Sequence, residues 1–361
     1  MLIEIGKDIV EAAQRGDEEA LRILNYLGMA FRNKKHIVFS EPIILKDILK
    51  IKDLPLETLN VFVYILGKYT TVIKPLLDEL QFRVKLMLSG RSEKLTDMLL
   101  INLNSFRNIE LYEETHLLAE NLFDCKFYHQ IGLHYIQEKR LKEVSLSSFL
   151  LQGGGAASCR VYREEAYLKQ HFCLAIMDSD KGYPKCNKVL DTTYGKVKKE
   201  ENLLNPLNCM CEKLNYTREV ENLIPYSYLR TKYSNMELIK TGVDLSYIDI
   251  KQGLEPKLLW FSDAVDYYRK LFSAVPAVLS SINTYELIKR GKKKDDYCAQ
   301  VKGKVIINGL GDKVTELFLD DNPGNSISRM VPTSDNQRKD WARIGRLVAQ
   351  WCCAPIIVST L

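Results

Sequence analysis

Acidic residues gather in three clusters between positions 117 and 222. The first is Leu117-Leu118-Ala119-Glu120-Asn121, with Asp124 three residues on. The second is Ala175-Ile176-Met177-Asp178-Ser179-Asp180, and the third is Arg218-Glu219-Val220-Glu221-Asn222. In the first two, an apolar run ends in a carboxylate, the pattern by which a buried parallel strand delivers an acid to the rim of a sheet. Carboxylates gathered at one rim repel one another, and the chemistry that turns this to use is the binding of Mg²⁺, a hard cation that prefers oxygen ligands. The expectation is a metal-dependent enzyme acting on phosphate esters, nucleic acid foremost.

The elements that must hold these acids alternate along residues 115–230. His116–Glu120 reads as a strand and Phe123–Gln137 as an amphipathic helix. Val144–Leu151 reads as a second strand. Gly153-Gly154-Gly155 then turns the chain into a helix from Ala156 to Gln170, and Phe172–Met177 is a third strand ending at Asp178. Such alternation implies a parallel, helix-covered sheet, whose functional groups lie at the carboxyl ends of its strands. Lys181–Thr217, rich in Lys, Asn, Gly and Cys, reads as a long loop or small insertion.

Residues 1–110 read as a mainly helical N-terminal domain, with one short strand at His36–Phe39 and helical stretches after Leu54 and through Leu76–Met87. The catalytic domain is expected at 111–235. A mixed α+β C-terminal region follows over 236–361, with an aromatic cluster at Trp260, Phe261, Tyr267, Tyr268 and Phe272 and a last helix over Gln337–Trp351. The expected class is α/β.

A length of 361 residues suits two or three domains. The net charge of +5 tolerates a polyanionic partner without requiring one. The chain opens without a basic stretch followed by an apolar core, and no apolar run is long enough to span a bilayer. Together with nine cysteines, this favours a reducing cytoplasm with free thiols and no membrane partner. Cys209 and Cys211, with Cys186 upstream, lack the paired spacing of common zinc sites and read as ordinary thiols. Cys352-Cys353 reads as core.

The order strand–Glu–(x)₃–Asp, glycine-rich strand end, strand–Asp-x-Asp resembles the TOPRIM domain of topoisomerases, primases, recombination factors and OLD-type nucleases. Leu117–Tyr128 is similar to that family's opening motif, Gly153–Gly155 to its second strand end, and Asp178-Ser179-Asp180-Lys181 to its D-x-D. Arg218-Glu219-Val220-Glu221-Asn222 resembles the "RE-x-EN" segment of the OLD-type nucleases. The resemblance spans residues 112–230. It departs from the pattern at Asn121, where the family has Gly; Asn tolerates a strand-to-helix turn better than most residues.

The resemblance implies roles. Asp178 and Asp180, same-sided by strand alternation, would bind one Mg²⁺ (or Mn²⁺), with Glu120 ligating it or acting as general acid or base. Asp124 would help organise the metals, and Glu219 and Glu221, same-sided if extended, would complete a second position. Lys181 and Arg218 would neutralise charge on the phosphoryl oxygens, and the glycines would let backbone approach a phosphate. Each has a plainer reading: Glu219 and Glu221 as solvated charges, Asp124 as a helix-start charge, Arg218 as an ion-pair partner. His116 and His129 read as structural, and Tyr183 as a loop aromatic packed on its domain.

Gly309-Leu310-Gly311-Asp312-Lys313 lacks the spacing of a phosphate-binding loop, so no ATPase accompanies the acids. The expected protein is a stand-alone nuclease, or a subunit gated by a regulatory protein or ATPase, similar to effectors of anti-phage defence. It would nick or cleave DNA, or RNA. The alternatives are a catalytically inactive TOPRIM-like module binding nucleic acid or a nucleotide, which Asn121 keeps open, and a phosphohydrolase of small nucleotides. Oligomeric state is left open.

Overall fold

A computed structural model describes residues 1–106, 110–186 and 192–356. Its strands are β1 Leu2–Ile5, β2 Ile37–Phe39, β3 Arg83–Met87, β4 Glu93–Lys94, β5 Met98–Asn102, β6 Thr115–Ala119, β7 Val144–Leu146, β8 Ser148–Gln152, β9 Cys173–Met177, β10 Cys209–Lys213, β11 Gly253–Leu254, β12 Ile307–Asn308 and β13 Cys353–Pro355. The chain divides into two compact units. One comprises residues 1–177, 196–212 and 343–361; the other comprises 178–195 and 213–342. Residues 1–110 fall wholly in the first unit, while 111–235 and 236–361 are each divided between the two.

The first unit holds two sheets that confirm an α/β class. One has the order β2-β1-β3-β5-β4, the other β10-β9-β6-β8. In the second, β6 runs parallel to both neighbours, with His116 opposite Phe149 on β8 and opposite Cys173 on β9. The carboxyl ends of β6 and β9 therefore emerge at one edge. β9 is buried along its whole length, as a central strand with both faces covered must be. The helix Leu122–Glu138 crosses from β6, and Gly132 lies so close to Val348 and Leu146 that a Cβ there would collide with both.

The mainly helical expectation for residues 1–110 needs correction. The helices are present, at Lys7–Gln14, Glu18–Arg32, Pro42–Ile48, Leu56–Lys68 and Lys74–Leu80, but they cover a sheet. The stretch expected as helix through Met87 stops at Leu80, where Gln81 turns left-handed at φ +61°. Arg83–Met87 then alternates, with Val84 and Leu86 buried and Arg83 and Lys85 reaching the Glu4 carboxylate at 2.9 and 2.7 Å. That two-residue period suits a strand covered on one face.

Lys181–Thr217 likewise gains structure, although residues 187–191 lie outside the described ones. It contains the helix Thr193–Leu204 and β10. The helix buries Val197, and its Glu201 carboxylate accepts from the Cys211 amide at 2.8 Å and from the Tyr162 hydroxyl at 3.3 Å. A carboxylate that satisfies a strand amide and a buried phenol ties this polar segment to the sheet, information its composition does not carry.

Among the described residues the second unit is built from helices and one two-stranded antiparallel pair, β11 with β12. At that pair Gly253, at φ +93°, passes so close to the Ile307 carbonyl that no side chain fits. The unit's core includes Leu223, Tyr268, Phe272, Phe318 and Trp341. Trp341 donates its indole N–H to the Leu223 carbonyl at 2.9 Å, and Gln337 donates to the carbonyls of Asn222 and Ile224 at 2.9 and 2.6 Å. Asp340 accepts from the Asn215 and Tyr216 amides and the Thr217 hydroxyl at 3.0, 2.9 and 2.9 Å. Both sides of the third acidic cluster are thereby held by the helix that begins at Asp335.

Candidate functional site

In the second unit the Asp-x-Asp segment is stitched to the third cluster through backbone. The amides of Ser179 and Asp180 both donate to the Arg218 carbonyl, at 2.9 and 3.1 Å, and Ser179 Oγ donates to the Thr217 carbonyl at 2.7 Å. Asp178 Oδ1 accepts from the Val220 amide at 3.0 Å. Asn222, fully buried, accepts from the Glu219 amide at 2.8 Å and donates to the carbonyls of Leu245 and Ile248 at 2.6 and 2.9 Å. The segment 244–252 is thus drawn onto the same centre.

Two expected geometries do not hold. Strand β9 ends at Met177, so Asp178 and Asp180 lie beyond it, and Asp180 is left-handed at φ +53°. The turn, not strand alternation, places them. Glu219 and Glu221 are not extended either: Glu219 caps a 3₁₀ turn over Val220–Leu223 that contains Glu221. A single lysine reaches both carboxylates.

That lysine is Lys251. Its Nζ lies 3.5 Å from Glu219 Oε2 and 3.3 Å from Glu221 Oε1, the latter also accepting from the Thr315 hydroxyl at 2.8 Å. Arg218 spans Glu219 Oε1 at 2.5 Å and Asp249 Oδ2 at 3.1 Å. Its guanidinium is engaged inside the cluster, the ion-pair role. Lys181 donates to the Asn215 carbonyl at 3.2 Å.

Asp178, Glu219, Glu221 and Asp249 are 8, 5, 3 and 8% exposed, so the solvated-charge reading of the third cluster fails. Among the described residues, Arg218 and Lys251 pair with Glu219, Glu221 and Asp249 inside this group of carboxylates. The crowding of charge shows in the proton affinities. Burial, then the Glu219 charge, pushes the Asp180 carboxyl upward. Burial pulls the Lys251 ammonium down, but Glu221, Glu219 and Asp178 outweigh it and the net shift is upward. Arg218 behaves alike under Glu219 and Asp249. Glu221 Oε2 is buried with no hydrogen-bond partner.

Glu120 and Asp124 belong to the first unit. Glu120 follows β6, and its carbonyl accepts from the Gly154 and Gly155 amides at 2.8 and 3.3 Å, while Ala119 takes the Gly153 amide at 2.8 Å. These glycine amides, expected to face a phosphate, instead anchor the turn after β6. Gly154 and Gly155 adopt φ of +77° and +58°, which explains the residue type. Asp124 accepts from the Asn121 amide at 3.2 Å and Asn121 from the Asp124 amide at 3.0 Å, a reciprocal capping box starting the helix Leu122–Glu138. Asn121 is a cap, and Asp124 has at least this structural duty.

Sequence reasoning passed over Asp249 and Lys251. Their signal is an acid and a base inside the apolar run Tyr247-Ile248-Asp249-Ile250-Lys251, whose tyrosine and isoleucines are buried. All nine cysteines are free, and Cys352 and Cys353 are buried as expected. Tyr183 packs 6.3 Å from Phe261, ring centre to ring centre. Among the described residues no helix is long and apolar enough to cross a membrane. No protein-family model matches the chain, and no curated protein or solved structure is similar to it.

Proposed function

We propose that the second unit's acidic centre binds a hard divalent cation and that the protein uses it to cleave or nick phosphodiester bonds of nucleic acid, DNA foremost. The observation that carries this reading is the gathering of the buried carboxylates of Asp178, Glu219, Glu221 and Asp249, with the exposed Asp180 beside them. Oxygen donors are the type Mg²⁺ or Mn²⁺ takes, and Glu221 Oε2 is buried without a hydrogen bond; among the described residues no three acids of this centre bring ligand atoms within 4.8 Å of one another, so the side chains must close in on the ion. When bound, the ion activates water and stabilises charge on the phosphoryl oxygens. In this reading Asp178, Asp180 and Glu219 hold the cation and Glu221 completes the set. Arg218 and Lys251 orient the two glutamates and lower their mutual repulsion. Lys181 takes the phosphate contact that the TOPRIM resemblance implies. A regulatory partner and a defence role rest on that resemblance alone.

The cations already paired with Glu219, Glu221 and Asp249 favour a second reading, a catalytically silent module that binds nucleic acid or a nucleotide. Plasmid and RNA incubated with the purified protein and Mg²⁺ or Mn²⁺, with an EDTA control, separate the two. Nuclease action requires metal-dependent cleavage that Asp178→Asn and Glu219→Gln each reduce at least about 100-fold while circular dichroism stays unchanged. Cleavage undiminished in both variants overturns the proposal; nucleic-acid binding without cleavage establishes the module.

A further inference from the structure

A second polar cluster lies in the first unit, at the amino ends of β6 and β9, the opposite edge from the one Glu120 follows. His116 is the second residue of β6, Glu165 lies on the helix Ser158–Leu168, and His171 precedes β9. His116 Nδ1 is 3.1 Å from Glu165 Oε2, and His171 Nδ1 is 3.7 Å from the same oxygen. One ligand atom from each of the three residues falls within 4.8 Å of the others. Two atoms each about 2.0–2.1 Å from a tetrahedral ion stand about 3.3 Å apart, which these separations bracket. We propose that His116, Glu165 and His171 bind one Zn²⁺-type transition-metal ion, with the fourth position left to water.

Three independent features argue that this is a built site. His116 Nδ1 and Glu165 Oε2 are both buried and make no hydrogen bond, a cost that an ion bridging them would remove. The backbones beneath are clamped: the buried Asn208 amide donates to the Glu165 and His171 carbonyls at 3.0 and 2.8 Å, and the His116 amide donates to the Phe172 carbonyl at 2.8 Å. Glu110 Oε2 stands 3.8 Å from His171 Nε2, an acid behind the ring at ion-pair rather than hydrogen-bond distance. Nitrogen donors select zinc, cobalt or nickel over the Mg²⁺ of the acidic centre.

The test is titration of the metal-stripped full chain with Zn²⁺ by calorimetry and with Co²⁺ by visible absorption. One ion per chain is expected, bound at least about tenfold more weakly by Glu165→Gln and by His171→Ala, with far-ultraviolet dichroism unchanged in both. Zn²⁺ should raise the melting temperature of the parent protein and not that of Glu165→Gln, a substitution that keeps the side-chain shape. Binding equally tight in both variants, no uptake by the parent chain, or a thiolate charge-transfer band placing Co²⁺ on cysteines would each overturn the assignment. None of these readouts depends on the nuclease proposal.

Discussion

Removing the Lys251 ammonium would leave Glu219 and Glu221 facing one another in a site almost closed to water. Breaking a buried pair by deleting one partner strands the charge that remains. Lys251 is itself about a third exposed, which moderates the loss. Lys251→Met is therefore expected to lower stability by up to about 3 kcal/mol in chelator, read from urea unfolding. If the centre takes a cation, Mg²⁺ should restore more stability to Lys251→Met than it adds to the parent chain, since the ion would replace the missing charge. Equal Mg²⁺ responses would argue that the acids are held for packing alone. Asp178 and Asp180 could be picked out by type and spacing; Asp249 and Lys251 could not, because nothing local marks them as partners of residues some thirty positions earlier.

Helix starts and strand ends decide how the first acids are presented. Asn121 caps the helix Leu122–Glu138 through a hydrogen bond from Asp124, and the reciprocal bond returns. Replacing such a cap by Ala costs about 1 kcal/mol, whereas Gly costs a few tenths. Asn121→Ala should thus lower the unfolding midpoint, and Asn121→Gly should leave it nearly unchanged. If both variants are equally destabilised, the cap is not what Asn121 supplies. At this scale the sequence was informative wherever an element's own periodicity announced it, as in β6, β9 and the helix between them. It misled at Arg83–Met87, where the two-residue period sits directly against a helix and was absorbed into it.

Across the whole molecule, three histidines are held neutral. Burial sets His36 well below the usual imidazole range and also lowers His129 and His171, the last aided by the neighbouring His116. Unfolded, these side chains take up protons near pH 6.5. The folded chain resists that uptake, so the unfolded state binds more protons, and stability falls as pH drops below about 6.5 toward the depressed folded values. The raised Asp180 carboxyl acts in the opposite sense, between its unfolded value near 4 and its higher folded one. Melting temperature is expected to decline between about pH 7 and pH 5, with a shallower slope in His36→Gln. A flat profile in the parent chain would show that the histidines are not held neutral.

Taken alone, the order of residues determined that acids would close apolar strands, that a parallel sheet would carry Glu120 and lead into Asp178, and that the helices between would be amphipathic. These are consequences of short-range periodicity and of what a buried strand can tolerate. Tertiary structure decided which acids share a centre and which charges temper them. It turned Glu219 and Glu221 into a capped turn, gave the Gly153–Gly155 amides to the carbonyls of Ala119 and Glu120, and brought His116, Glu165 and His171 together. The reason is physical. Burial fixes a side chain's neighbours in space, and electrostatic partnership depends on that distance rather than on separation along the chain.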